Sequence, residues 1–371
     1  MTAVADRFPG LDALKAWTTV LVVFHHTAIT YGAIGGWYYR EHAVDRSPAS
    51  LLLVFFCTLN QAWFMGLFFL LAGRFTPAAR ARKGAWAFMR ERLLRLGLPW
   101  LVFGCVIGPV TLALARTARG DAFFDTLGRL WRSASFVNGP TWFASALLAF
   151  SAVTALWAGH FALPPETRHG FPSHRSLLVA ALACAAVAFA VRLVWPVGTD
   201  VAGWQLGYFP SYVLLFVTGC MAARHDWLEA PPAATVRRWR RIAWLALPAL
   251  LPLAFLAERF PVFNGAATGG WNLPSLMYAL WEPFVAWGTL LALLQWASHA
   301  PAPSRFGQAL ARRAYAIFVI HPPVVVAAAI AWRGVAAPAL LKFALTGVVS
   351  CVICFVLAGW LLKLPPVRRV L

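Results

Sequence analysis

Long apolar runs recur along the chain and set its fold class. They fall at about 11–31, 51–73, 97–115, 141–158, 176–195, 206–222, 241–257, 275–296, 314–332 and 340–362. Each is close to the roughly 17–25 residues that cross a bilayer as a helix. Backbone groups in lipid must be satisfied within a helix or a closed barrel, and these runs are too long for barrel strands. The pattern predicts an all-α membrane protein, a polytopic bundle of about ten transmembrane helices forming a single domain over 1–371 with no appended soluble domain.

Lysine and arginine gather in alternate connections, which predicts the orientation. Seven lie in 74–95 and five in 223–241, and such an excess marks cytoplasmic loops. We therefore expect a multi-pass protein of the inner (cytoplasmic) membrane with both termini in the cytoplasm. The connection 116–140 is an exception with four arginines, but its apolar residues recur at helical spacing and predict an amphipathic helix in the outer interface: Phe123, Phe124, Leu127, Leu130 and Trp131.

Composition places the protein in lipid and excludes a nucleic-acid reader. The chain is 61% hydrophobic and 12% charged, more apolar than a water-soluble core of this length. Its net charge of +19 sits between apolar runs, not on a soluble basic face. Positive charge in these positions is typical of residues that set membrane topology, attract anionic lipid or bind a phosphorylated cosubstrate. The six cysteines all lie in apolar runs, so we expect no disulfide; Cys351 and Cys354 form a CxxC that predicts packing one turn apart, and no metal site.

Few ionisable side chains fall inside the predicted spans, and each is a functional candidate because charge in hydrocarbon is costly. His25 and His26 lie toward the outer end of the first span, and Glu282 lies at a similar depth in the eighth. A histidine beside a carboxylate that orients it can act as general base toward a hydroxyl. On the residues alone, a structural histidine and a glutamate lining a water pocket are the simpler interpretation.

Three further polar residues lie in or near spans. His321 precedes Pro322 and Pro323, which would kink the helix and free backbone carbonyls, so its default role is structural hydrogen bonding. Arg192 and Lys342 lie near span ends, from which their long side chains can reach the interface.

A double arginine precedes the third span. Arg92 and Arg95 are three residues apart on a helix, where two guanidinium forks suit phosphate oxygens. On the residues alone, a flank that anchors the helix to lipid headgroups is the simpler interpretation. Before the fourth span, Asn138 and Gly139 predict a turn, and Trp142 is predicted to be an aromatic residue at the membrane interface.

The order of several motifs resembles the acyltransferase 3 family, bacterial membrane acyltransferases that modify sugars, glycans and some antibiotics. These motifs cover nearly the whole chain: Leu11 to Lys15 with His26 eleven positions after Lys15, Phe68 to Phe75, Arg92-x-x-Arg95-Leu96 before Pro99, Gly139 to Phe143, and Tyr315 to His321-Pro322.

The resemblance implies roles for these residues. The family's basic residue followed by ten others and a histidine maps onto Lys15 and His26, so it selects His26 over His25 as the catalytic histidine. Because Glu282 lies at a similar depth, we expect it to orient that histidine. The double arginine, with Lys15, would hold an acyl-CoA donor such as acetyl-CoA. The remaining candidates have supporting roles: His25, Trp142, Tyr315 and His321.

The implied activity is O-acyl transfer. A short acyl group would move from acyl-CoA to a hydroxyl of a sugar, glycan or small-molecule acceptor, as in polysaccharide O-acetylation. The expected partners are acyl-CoA, a hydroxyl-bearing carbohydrate and the bilayer, with no nucleic acid. The alternative is a transporter or flippase with a buried His/Glu proton relay, although no internal hydropathy repeat of the kind many transporters carry is apparent.

Overall fold

The computed structural model describes residues 9–156, 169–229, 231–252 and 266–371, and over these residues every regular element is helical. The predicted span 241–257 lies partly outside the described residues. The α-helices within them are α1 Pro9–Thr30, α2 Pro48–Arg92, α3 Leu98–Val102, α4 Gly108–Thr117, α5 Phe123–Arg132, α6 Trp142–Leu156, α7 His174–Val194, α8 Phe209–His225, α9 Ala233–Ala246, α10 Leu273–His299, α11 Arg305–Ala331, α12 Ala339–Leu361 and α13 Pro365–Val370.

Seven helical stretches in the described part of the chain are long and apolar enough to cross a membrane. One of them is a continuous run of 70 residues over Pro48–Thr117, which contains both predicted windows 51–73 and 97–115. The predicted all-helical membrane class is thus confirmed, whereas the count of about ten spans is not.

The basic segment 74–95, predicted as a connection, is mostly helical. α2 continues through it to Arg92, and its backbone departs from helical geometry at Gly84, with φ 75° and ψ 166°. Only glycine adopts such a positive φ without cost. The segment is rich in alanine and arginine, which are good helix formers, so the helix does not end where the apolar run ends.

Two π-helical segments interrupt the helix, one just before and one inside the third predicted span. They cover Leu93–Gly97 and Phe103–Ile107, and each ends two residues before a proline, Pro99 or Pro109. A proline inside a helix has no N–H to donate and its ring crowds the carbonyl four residues earlier. The wider π turn is a usual way to accommodate such an interruption.

Side chains from other elements satisfy the two carbonyls that these prolines leave without their α-helical donor. The Tyr315 hydroxyl donates to the Arg95 carbonyl at 2.8 Å, and Nε1 of Trp131 donates to the Cys105 carbonyl at 3.0 Å. Arg95 and Cys105 stand four residues before Pro99 and Pro109. These bonds tie the broken helix to α11 and α5.

The helix predicted inside the connection 116–140 is confirmed as α5. It buries Thr126 and Leu127, while Phe124 and Trp131 are exposed. Its location in the outer interface stays a prediction.

The chain forms two compact units. The first unit comprises 1–11, 61–85 and 153–302, and the second comprises 12–60, 86–152 and 303–371. In the first unit α10 packs against α7 and α9, and the fully buried Trp239 of α9 stacks on Phe284 with ring centroids 6.0 Å apart. The prediction of a single domain is not tested by this division.

The core of the second unit joins α1, α11 and α12. Small residues allow close approach there: a β-carbon on Gly347 would lie 2.5 Å from the Phe24 ring. A second hydrophobic cluster lies toward the end of α1, around Ile29, Tyr31 and Cys57. The larger cluster, called the main core cluster below, consists of these residues: Ala16, Val23, Leu310, Ala314, Ala316, Ile317, Val325, Cys354 and Ala358.

Candidate functional site

Three flat rings stack in the second unit. His26, near the end of α1, lies 4.1 Å from Trp37 and 5.2 Å from His321 between ring centroids, with interplanar angles of 13° and 19°. The His25 ring meets His26 edge-on at 5.6 Å. His321 is fully buried, whereas His26 is partly exposed. The stack therefore presents one accessible imidazole on a rigid aromatic base.

The hydrogen bond of His321 fixes its tautomer. Its Nδ1 lies 2.7 Å from the Phe318 carbonyl, which stands four residues before Pro322 and so lacks its α-helical donor. A carbonyl can only accept, so Nδ1 carries the proton and Nε2 of the neutral ring carries a lone pair. Nε2 is buried with no hydrogen-bond partner among the described residues. The freed carbonyl and structural hydrogen bond expected at this proline pair are thus both present.

Trp37 belongs to a tethered loop, 31–47, that follows α1. Arg40 donates to the Ala33 carbonyl at 2.8 Å, and the backbone N–H of Glu41 donates to the Thr30 carbonyl at 2.9 Å. The buried ammonium of Lys342 forms an ion pair with Glu41. These bonds hold the loop against α1 and α12, so Trp37 is positioned before any ligand arrives.

Tyr38 lies next to Trp37 and faces a glycine. Gly139 has φ 47°, and a β-carbon on it would lie 2.1 Å from the Tyr38 hydroxyl oxygen. Within the described part of the chain that hydroxyl is buried without a hydrogen-bond partner, and burial raises the pKa of Tyr38 well above that of a free phenol. Glycine at 139 is therefore required by both its backbone conformation and the space available.

The His26 side chain is partly exposed. Its Nδ1 is buried with no hydrogen-bond partner among the described residues. The backbone carbonyl of the neighbouring His25 accepts from the Cys57 thiol at 3.6 Å. Neither ring nitrogen of His26 has a hydrogen bond to another described side chain, so the imidazole can give or take a proton at a bound hydroxyl.

Glu282 lies in the first unit and is held by a buried arginine. Arg192 has no exposed surface, and its Nη2 forms an ion pair with Oε2 of Glu282. Nε of Arg192 donates to the Gly207 carbonyl at 3.0 Å, and its guanidinium lies 5.0 Å from the Tyr278 ring centroid. The pairing of Glu282 with His26 stays a prediction.

The expectation that Arg192 and Lys342 reach the membrane interface is wrong. Both are buried, at 0% and 2% exposure. Each has a carboxylate partner, Glu282 for Arg192 and Glu41 for Lys342. A charge that finds a buried partner need not extend to water.

The two arginines of the double-arginine motif have different surroundings. The Arg92 guanidinium lies 5.0 Å from the Phe88 ring centroid. Arg95 is more exposed, lies 3.7 Å from Glu91 and lines a cavity. The π-helical turn that begins at Leu93 explains the divergence, because residues three apart no longer align on a widened helix.

Lys15 and Trp142 make local contacts. Lys15 forms an ion pair with Asp12 at 2.9 Å, one turn earlier in α1. Trp142 begins α6 and meets the Phe143 ring edge-on at 6.4 Å. Phe143 in turn meets Phe318 at 6.1 Å, so α6 contributes to the aromatic wall behind His321.

The sequence reasoning missed Trp37, Tyr38 and the burial of Arg192. The run Gly35-Gly36-Trp37-Tyr38-Tyr39 was a usable signal, because aromatic residues after flexible glycines so soon after a candidate histidine can return to cover it. The burial of Arg192 has no comparable local signal. In the described residues, no group of three or more His, Cys, Asp or Glu side chains is arranged to hold a metal ion.

Apolar helices and a stacked, partner-free histidine define a multi-pass membrane protein with a candidate proton-transfer site. A family model for an acyltransferase domain, that of the acyltransferase 3 family, matches residues 8–359. The chain belongs to this family, as its motifs predicted. Neither the curated proteins nor the solved structures gave a match.

Proposed function

We propose that this acyltransferase moves a short acyl group, such as acetyl, from acyl-CoA to a hydroxyl of a carbohydrate acceptor, with His26 as general base. The observation that carries the proposal is the His26 imidazole, which is partly exposed, lacks a hydrogen-bonding side chain and stacks on Trp37. Family membership favours this activity over the transporter alternative.

The reaction needs one proton acceptor. The lone pair of His26 takes the proton of the acceptor hydroxyl as its oxygen attacks the thioester carbonyl. The C–S bond breaks, the imidazolium returns the proton to the leaving thiolate, and the products are an O-acyl ester and free CoA. A positioned base of this kind contributes roughly 10²–10⁴-fold to the rate.

The stacked rings would stabilise His26 in its protonated, imidazolium form. An imidazolium over an indole face is stabilised by cation–π attraction, about 0.5–2 kcal/mol depending on desolvation. In its neutral form His321 carries its proton on Nδ1, because that N–H is committed to the Phe318 carbonyl. In this scheme Trp37 and His321 position and stabilise His26, with Glu282 and His25 in supporting roles.

The donor is proposed to bind on the cytoplasmic side. Arg95, with Arg92 and Lys15, supplies positive charge for the phosphates of CoA, and Tyr315 holds the Arg95 backbone. Trp142 contributes to the aromatic wall. Acyl-CoA would reach the protein from the cytoplasm, which fits an inner-membrane enzyme with cytoplasmic termini.

Purified protein in detergent would be given acetyl-CoA and a panel of methyl glycosides. Thiol release would be followed by colorimetry and ester formation by mass spectrometry. We expect His26→Ala to lower kcat by roughly 10²–10⁴-fold and to leave CoA binding intact, because no donor-binding role is assigned to that ring.

An exposed histidine elsewhere offers a control. His299→Ala removes an equal ring from the end of α10 and should retain full activity, because no role in the reaction is assigned to that residue. Full transfer by a folded His26→Ala protein would contradict the proposed base. A folded wild type that neither binds CoA nor releases its thiol would contradict the donor.

A further inference from the structure

A basic groove lies where the first π-helical segment meets the C-terminal helix α13. It has a volume of about 640 Å³, within the range of about 300–1,000 Å³ common for small-molecule sites. We propose that this groove binds the phosphorylated nucleotide end of the acyl-CoA donor and that the C-terminal turn supplies most of its charge, an inference that rests on the proposed function. The lining residues are Glu91, Leu94, Arg95, Lys363, Pro365, Arg368 and Arg369.

The groove carries a strong excess of positive charge. Four cationic side chains face one carboxylate, and that carboxylate, Glu91, lies 3.7 Å from Arg95. In the described part of the protein, the ion pairs do not include Lys363, Arg368 or Arg369. Guanidinium forks and an ammonium suit phosphate oxygens. A ligand with separated phosphate groups would satisfy several of these cations at once.

The backbone that carries the C-terminal cations is held in place by the fold. The Lys363 N–H donates to the Trp360 carbonyl at 3.0 Å, and the Arg368 N–H donates to the Leu364 carbonyl at 3.0 Å. Leu371 packs against the main core cluster of the second unit. Both ends of the turn are thereby fixed to the body of that unit, which lowers the ordering cost of binding a ligand.

The opposite wall is also fixed. The Tyr315 hydroxyl bond to the Arg95 carbonyl sets the direction in which the Arg95 side chain leaves the helix. Leu94 and Pro365 add apolar surface against which a purine ring can lie. A phosphate site with an apolar wall suits a nucleotide better than a lipid headgroup, which offers no flat ring.

The three C-terminal cations are not among the residues that the motifs predicted to bind the donor. The family match ends at residue 359, so Lys363, Arg368 and Arg369 lie beyond the matched residues. The double-arginine motif alone contributes a single residue, Arg95, to this groove. The added charge therefore comes from residues outside the matched segment.

The test compares two donors. Lys363→Ala/Arg368→Ala/Arg369→Ala protein should show a KM for acetyl-CoA raised at least about tenfold, since each charge-assisted contact is worth about that factor or more. Its kcat should stay near wild type, because none of these residues is placed at His26. With S-acetyl-pantetheine, which has no phosphate, both constants should match wild type.

A matched control removes the same charge elsewhere. Arg237→Ala/Arg238→Ala/Arg240→Ala changes three exposed arginines of α9, outside the groove, and should leave the KM for acetyl-CoA unchanged. An equal rise in that control, or an unchanged KM in the folded groove variant, would overturn the proposal.

Two further experiments complete the test. One distinguishes a lipid-binding groove from a nucleotide-binding groove, and the other tests nucleotide binding even if the protein shows no acyl transfer. If the groove variant loses bound anionic phospholipid in nanodiscs but keeps its KM, the groove binds headgroups and the proposal is wrong. If wild type transfers no acyl group, calorimetry with adenosine 3′,5′-bisphosphate still decides. Binding that the groove variant loses supports the site, and no binding by wild type overturns it.

Discussion

Nδ1 of His321 donates a 2.7 Å hydrogen bond to the carbonyl oxygen of Phe318, the group that Pro322 deprives of its usual donor. The bond stabilises an interrupted helix and fixes the ring that stacks on His26. A single side chain therefore serves both the backbone and the candidate site.

The two functions of His321 can be separated by substitution. His321→Asn keeps an N–H donor near the position of Nδ1, whereas His321→Ala leaves the Phe318 carbonyl unpaired. We expect Ala to lower the free energy of unfolding by about 1–3 kcal/mol and Asn to lower it much less. Thermal unfolding of the purified protein measures both, and equal losses would show that the hydrogen bond is unimportant.

Trp37 is expected to affect the rate of acyl transfer. Trp37→Leu removes the ring face over His26, so kcat should fall by about 2- to 30-fold if cation–π attraction stabilises the imidazolium. Trp37→Phe should lose less. The exposed Trp360 provides the control, as Trp360→Leu should not change kcat. Equal kcat in wild type and Trp37→Leu would remove Trp37 from the mechanism.

Gly139→Ala is expected to disturb the loop that carries Trp37. The new methyl group would collide with the Tyr38 hydroxyl, and the backbone at φ 47° disfavours any side chain, so stability should fall by roughly 1–3 kcal/mol. Tyr38→Phe alone should be close to neutral, because that hydroxyl has no partner in the structure. The double variant should recover part of the loss, and no recovery would place the strain in the backbone and in the Phe103 ring, whose Cε1 would lie 2.8 Å from the same methyl group.

The buried Arg192 and Glu282 pair is expected to be strongly coupled. Arg192→Ala leaves an uncompensated buried carboxylate and should cost roughly 3–5 kcal/mol. Arg192→Met/Glu282→Leu removes both charges and should be far more stable than the single variant. Thermal unfolding of Arg192→Met, Glu282→Leu and the double variant forms a mutant cycle, and additive losses would contradict the coupling.

The same double variant tests the role proposed for Glu282. If it folds and still transfers acetyl groups at the wild-type rate, Glu282 has no part in the chemistry at His26. A large loss of kcat in a stable double variant would support the predicted role.

The sequence predicted the elements best where one local property decides them. Apolar length predicted the membrane-spanning class, and helical spacing predicted α5. The proline pair after His321 predicted a freed carbonyl because that effect depends only on residues within one turn. The family was recognised from motifs spread along the chain, and the match over 8–359 confirms it.

Features that depend on distant residues escaped prediction. Arg192 is buried because Glu282, 90 residues away, is its partner, whereas the local sequence favours an exposed position. The loop of Trp37 folds back under an ion pair with Lys342, 301 residues from Glu41. Hydrophobic periodicity contains no information about such pairings. It also predicted an end of α2 at about residue 73, well before Arg92.

The two prolines of the broken third helix have a consequence for how the sequence can vary. Pro99 makes the Arg95 carbonyl depend on a hydroxyl at position 315, and Pro109 makes the Cys105 carbonyl depend on an indole at position 131. Loss of the donor leaves an unpaired carbonyl, while loss of the proline makes the donor dispensable. Substitution of Tyr315 is therefore tolerated best once Pro99 has been replaced. In the same way, substitution of Trp131 is tolerated best once Pro109 has been replaced.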